Sequence, residues 1–166
     1  MMNTLEIEQK FECKGLPDDL SQSRKSNLER TYLCLSPEVR LNRRIFENGT
    51  ERFHLTVKST GYLKRSEIKI AVTKEQYEAA ALLAGTEPLR FEIYEYQLDE
   101  THTICVKKCM NFNNICFAEI EYSDMDDYEA FGETVAGLSW LGREVTFEES
   151  YYVRNIWKRY KDGDAR

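Results

Sequence analysis

A run of seven residues near the N-terminus, Leu5-Glu6-Ile7-Glu8-Gln9-Lys10-Phe11, alternates with a period of two. Successive side chains of an extended chain point to opposite faces, so Glu6, Glu8 and Lys10 share one face and Leu5, Ile7, Gln9 and Phe11 the other. The pattern recurs along the chain. Arg40, Asn42 and Arg44 lie opposite Val39, Leu41 and Ile45, with Arg43 as a misfit, and His54, Thr56 and Lys58 lie opposite Phe53, Leu55 and Val57. Arg65, Glu67 and Lys69 alternate with Ile68 and Ile70, while Arg90 and Glu92, and later Glu119 and Glu121, fall on alternate positions of further extended runs. One such strand is an ordinary half-exposed strand. Several together require that the apolar faces be covered by helices and that the charged faces meet either water or an enclosed lumen.

Turn signals punctuate these runs. Asn48-Gly49 predicts a hairpin between strands over 39–46 and 52–58, and Ser59-Thr60-Gly61 turns the chain again. Thr31-Tyr32-Leu33-Cys34-Leu35 reads as a strand closed by Ser36-Pro37, and Leu89–Leu98, Thr103–Met110 and Ile115–Tyr122 as three more. Helices are expected from a cap at Asp18 or Asp19 to about Arg30, over Lys74–Ala84 between Thr73 and Gly85, at about 126–138, and from about Glu148 to Arg159, with Val145-Thr146-Phe147 extended. About eight strands joined by short turns suggest a barrel or sandwich with helices packed outside, in one domain over residues 1–166.

Composition narrows the function classes. With 42% hydrophobic and 31% charged residues the chain is neither disordered nor membrane-spanning by helices, and its acidic, polar start lacks a secretory pattern. Five scattered cysteines predict reduced thiols in the cytoplasm; His102, Cys105 and Cys109 lack a second paired motif and read as structural rather than zinc-binding. A net charge of −6 argues against a nucleic-acid binder, yet it allows a polyanion site if charge is segregated between inside and outside.

The charge types specify such a site. The pairs Glu6/Glu8 and Glu119/Glu121 offer hard oxygen ligands for Mg²⁺ or Mn²⁺, and Lys and Arg on facing strands suit phosphate oxygens. Carboxylates on one wall and cations on another describe a site for a metal–polyphosphate complex.

Glu6-Ile7-Glu8-Gln9-Lys10 matches the ExExK signature of the CYTH superfamily, the triphosphate tunnel metalloenzymes. Val39-Arg40-Leu41, Leu55-Thr56-Val57-Lys58, Arg65-x-Glu67, Ala118-Glu119-Ile120-Glu121 and Glu144-Val145-Thr146 with Tyr151 and Asn155 resemble its later elements in order, nearly end to end. The resemblance implies an α+β fold: a closed eight-stranded antiparallel β-barrel forming a tunnel, with helices outside. It implies that Glu6, Glu8, Glu119 and Glu121 hold the metal, that Lys10, Arg40, Arg44, Lys58, Arg65 and Arg90 bind phosphates, and that Glu67 orients the neighbouring cations or contributes to the metal shell. Catalysis falls to Glu8, Glu121 and Lys10, with Glu8 and Glu121 both open as the group that positions water.

The chain departs from the family at Asn42, where a second arginine is usual, at Lys69, at Pro88, and in Ile104–Lys108, where a common aspartate is not evident. The implied activity is hydrolysis of inorganic tripolyphosphate or a nucleoside or organic triphosphate, by a monomer or homodimer without nucleic-acid or membrane partners. The alternatives are a class IV-type adenylate cyclase and a polyphosphate- or nucleotide-binding module with weakened turnover. A terminal helix that plugs one tunnel mouth is a further expectation, resting on Arg154, Lys158 and Arg159.

Overall fold

The computed structural model describes residues 2–17 and 23–164. Nine strands and three helices follow one another as β1 (Met2–Cys13), β2 (Arg24–Leu35), β3 (Glu38–Phe46), β4 (Glu51–Lys58), β5 (Lys64–Ala71), α1 (Lys74–Leu82), β6 (Leu89–Gln97), β7 (Thr103–Cys109), β8 (Cys116–Tyr122), α2 (Met125–Ala136), β9 (Leu141–Glu144) and α3 (Val153–Lys161). All pairings are antiparallel, in the order β5-β4-β3-β2-β6-β7-β8-β1, and β1 pairs back with β5. Eight strands therefore close a barrel, which leaves no free edge in the ring.

The closing strand is β1. Its residues 2–7 pair with β5, its residues 7–12 with β8, and β9 takes up the vacated edge at Phe11 and Cys13. The predicted hairpin at Asn48-Gly49 is present, with Gly49 at φ +80°, a left-handed conformation that glycine adopts without the Cβ penalty.

Two apolar clusters sit on opposite sides of the barrel wall. The outward cluster contains Ile7, Phe11, Ile104, Val106, Ala118, Ile120 and Tyr122, covered by Val135 of α2 with Leu138, Trp140 and Leu141. The second gathers Leu28, Tyr32, Phe91, Ile93, Cys109 and Phe117, the inward positions near one end, against Val153, Ile156 and Trp157 of α3. The last helix therefore caps that end of the barrel with its apolar face. The capping uses Val153, Ile156 and Trp157, not the basic residues that motivated the expectation. No helix among the described residues is long and apolar enough to cross a membrane.

Three expectations change. Residues 24–30 form the start of the 12-residue strand β2, not the end of a helix; Asp18 and Asp19 lie outside the described residues. Pairing with β3 on one edge and β6 on the other overrides the weak helical pattern. Val145–Phe147 follows β9 without being a strand, and the final helix divides into a 3-10 turn at Glu149–Tyr151 and α3. Arg43, the misfit on an outward face, is accommodated by Glu29 at 3.2 Å and Glu51 at 2.5 Å.

Candidate active site

Alternation along β1 turns Glu6, Glu8 and Lys10 inward, where all three are buried. The register sets Glu8 opposite Glu121, Lys10 opposite Glu119, and Glu6 opposite Arg65. Glu6, Glu8 and Glu121 bring one carboxylate oxygen each within 4.8 Å of one another. Glu119 is not in that group: Lys10 Nζ donates to one of its oxygens at 2.6 Å and Lys107 Nζ to the other. Of the four expected metal ligands, three converge and the fourth is held by two ammonium groups.

The remaining lumen is a ladder of ion pairs. Lys58 bridges Glu6 and Glu67, the latter at 3.1 Å; Arg65 reaches Glu6 at 3.0 Å and Glu8 at 3.3 Å; Arg40 donates to Glu38 at 2.7 Å. Buried charges of this density are stable only when paired. Burial would raise the Glu8 carboxyl pKa, but Lys10, Lys58, Arg65 and Lys107 outweigh it and hold the pKa far below the usual range. Glu67 behaves alike: Lys58 and Arg40 outweigh its burial and bring it to about 2. Glu6 goes the other way, pushed up by its burial and by the Glu8 carboxylate. On the cationic side, burial lowers Lys107 to about 8 and also lowers Lys10 and Lys58.

The donor set fits a hard divalent cation. Three carboxylates crowd together, one of them has its ionised form disfavoured, and Glu6 Oε2 accepts no hydrogen bond although Arg65 lies 3.0 Å away. A small oxygen-seeking dication relieves that repulsion.

Around these groups lies a cavity of about 450 Å³. It continues into a deeper recess lined by Lys10, Arg65, Tyr152 and Val153, beneath α3. Among the described residues, nine Lys and Arg side chains line cavity and recess against seven Glu, a surplus of two positive charges in a chain whose net charge is −6. Lys10 is held over the rings of Phe117 and Tyr152, with its ammonium 5.0 and 4.9 Å from the ring centroids.

Arg40, Arg44, Lys58 and Glu67 line the cavity, and Arg65 lines the recess. Arg44 stands further out, donating to Ser26 Oγ at 2.9 Å and paired with Glu95 at 2.8 Å. Arg90 is not brought to the lumen. Its side chain is half exposed and pairs with Glu87 at 3.1 Å and Glu29 at 3.6 Å. The inward positions of β6 are instead Phe91, Ile93 and Glu95, one residue out of phase with Arg90 and Glu92. The inward face of β6 is apolar at Phe91 and Ile93, toward α3, while its outward face carries Arg90 and Glu92 beside Tyr94 and Tyr96, so charge on this strand does not mark the lumen.

The lumen also holds residues that the pattern of charges did not single out. Arg30 on β2, Glu38 on β3, Arg52 on β4 and Lys107 on β7 all line it. The alternation Cys105, Lys107, Cys109 is the signal for Lys107; Arg30 sits in a run whose weak helical pattern hides its place in β2.

No family model matches the chain. The inorganic triphosphatase of Nitrosomonas europaea (strain ATCC 19718 / CIP 103999 / KCTC 2705 / NBRC 14298) is 30% identical over 153 residues, which span 88% of this chain and 92% of that one. Among solved structures, the crystal structure of an inorganic triphosphatase superposes with a TM-score of 0.62 at 23% identity, covering 93% of this chain and 95% of its own. A protein of Pyrococcus horikoshii OT3 gives a TM-score of 0.61 at 18% identity, covering 93% of this chain and 99% of its own.

Proposed function

Since the chain belongs to the CYTH superfamily of triphosphate tunnel metalloenzymes, we propose that it is a hydrolase that cleaves a phosphoanhydride bond of a triphosphate inside its barrel, with a divalent metal ion, Mg²⁺ or Mn²⁺, as cofactor. The observation that carries the reading is the divided lumen: three converging carboxylates face a wall of cations, with net positive charge inside an acidic protein. A site for an organic anion alone would gain nothing from crowding Glu6, Glu8 and Glu121 together.

Glu6, Glu8 and Glu121 would hold the metal, which supplies neutralisation of phosphoryl charge and polarisation of the bond to be cleaved. Glu119 stands beside them and fixes Lys10 and Lys107. Lys10, Arg40, Lys58 and Arg65 bind phosphate oxygens, and Arg44 meets the ligand further out. Glu67 orients Lys58. Water is the nucleophile, and Glu8 and Glu121 are the carboxylates that orient it. Because Glu8 stays ionised far into acid, it accepts a hydrogen bond from water across the physiological range. Its five free cysteines support a cytoplasmic enzyme, since that compartment keeps thiols reduced.

The test is phosphate release from tripolyphosphate, ATP, GTP and thiamine triphosphate with Mg²⁺ and with Mn²⁺, beside a Glu8→Ala variant. Release that depends on metal and is abolished by the substitution is expected. No release from any substrate, or release indifferent to the variant, removes the reading. Chromatography of the ATP reaction for cyclic AMP decides the cyclase alternative in the same run.

A further inference from the structure

Among the described residues, four Lys and Arg side chains of the lumen are buried: Lys10, Arg30, Lys58 and Arg65. Three of them touch a glutamate: Lys10 with Glu119, Lys58 with Glu6, and Arg65 with Glu6 and Glu8. Arg30 forms no ion pair among the described residues. Its Nε donates to Asn42 Oδ1 at 2.9 Å, and Asn42 Nδ2 reaches Thr56 Oγ1 at 3.4 Å, which makes a neutral relay across β2, β3 and β4. Burial and the nearby Arg40 both disfavour its charge, yet a guanidinium stays protonated. Glu38 and Glu8 favour the charge only from a distance; a buried cation with no carboxylate in contact is costly, and direct pairing is the ordinary remedy. Here the cross-strand partner that could have been acidic is an asparagine.

The position of Arg30 gives the cost a purpose. It lines both the cavity and the deeper recess, which puts its side chain beside the space open to a ligand. On the neighbouring strand β6 the inward residues Phe91, Ile93 and Glu95 offer no cation, so Arg30 supplies positive charge where that wall lacks it.

We propose that Arg30 is a phosphate-binding residue that sets affinity for the triphosphate, and that Asn42 is its positioning residue, aiming the guanidinium without neutralising it. The counter-ion of Arg30 is a phosphoryl oxygen of the substrate. This rests on the triphosphatase reading above, and it differs from it in resting on a residue outside the carboxylate cluster.

Two variants of the full chain test it. In Arg30→Gln, the KM for tripolyphosphate rises about tenfold to a hundredfold, the effect of one charge-assisted contact. The thermal midpoint without ligand stays level or rises, because an unpaired buried charge is gone. In Asn42→Asp, Arg30 remains but gains a carboxylate partner; KM rises again while the ligand-free midpoint increases. A structural role predicts the opposite split: a lower midpoint for Arg30→Gln with KM unchanged. That result, or no change in KM in either variant, overturns the proposal while wild-type turnover keeps the triphosphatase reading intact. If Arg30→Gln does not fold, Asn42→Asp decides alone. If the wild-type protein releases no phosphate from any triphosphate, both readings fall together.

Discussion

Among single residues, what matters is which carboxylate does which task. Glu6 and Glu121 converge with Glu8, whereas Glu119 is occupied by Lys10 and Lys107. Replacing Glu6 with Gln should therefore raise the Mg²⁺ concentration for half-maximal turnover by about tenfold or more, the equivalent of roughly 1.4 kcal/mol. Glu119→Gln should move it much less and act on the KM for triphosphate, by releasing two ammonium groups; metal titrations of both variants separate the two roles. Arg90 gives the converse check. Its side chain points outward to Glu87 and Glu29, so Arg90→Ala should leave KM within about twofold of wild type in the same assay. The sequence made Glu6, Glu8, Lys10, Arg40 and Lys58 legible, because charges on one face of an alternating strand that must close inward have one place to go. Arg90 misled because β6 turns Phe91 and Ile93 inward and carries Arg90 and Glu92 on its outward face, so its charges do not mark the lumen. Arg30 was hidden by a run that reads equally as helix or strand until pairing on both edges decides it.

Individual elements are tied to the barrel in two contrasting ways. The β6–β7 hairpin is fastened to α2 through His102, whose Nδ1 lies 2.8 Å from Asp99 and Nε2 2.9 Å from Asp127, with the ring stacked 3.8 Å from Phe131. Only an imidazolium donates to a carboxylate at both nitrogens. Burial lowers the His102 pKa, but the two aspartates outweigh it and the net direction is upward from 6.5. The stabilisation is then full below the unfolded-state pKa of about 6.5 and is lost as pH rises through the higher folded value. Wild-type protein should lose thermal stability relative to His102→Gln as pH is raised from about 6 to 8; parallel midpoints would show that the clamp is silent. The second fastening is apolar. Trp157 of α3 is buried against the inward residues of the capped end, with its ring 6.0 Å from Tyr32. Trp157→Ala should cost about 3–5 kcal/mol and lower the midpoint by roughly 6–20 °C in calorimetry. The plug expected of the last helix rested on Arg154, Lys158 and Arg159; that the helix instead uses Val153, Ile156 and Trp157 depends on Leu28, Phe91 and Phe117 facing in, which only closure determines.

For the molecule as a whole, charge is sorted by location. The lumen carries two surplus positive charges, so the rest of the chain carries −8 of a net −6. Such an exterior repels extended polyanions and leaves the interior to attract small ones. The protein should pass a heparin column without retention at about 0.1 M salt while still hydrolysing triphosphate there; retention would mean that cations lie outside as well. The sorting was foreseeable in outline from the alternating faces, and its sign required the structure, because Arg30, Arg52 and Lys107 tip the balance.

The seam at β1 bears on how the protein comes into being during synthesis. Glu6 and Glu8 precede the strands that flank them: β5 and β8 are made some sixty and more than a hundred residues later. Until β8 arrives, β1 has an open edge and the carboxylate trio lacks Glu121. Pairing over such separations is slow compared with local folding, so the closure of the ring at β1 and β8 is also the step that assembles the cation site. A nascent chain stalled before residue 116 would hold half a site and hydrolyse nothing, and a divalent ion that binds the finished trio would favour the closed ring over the open sheet.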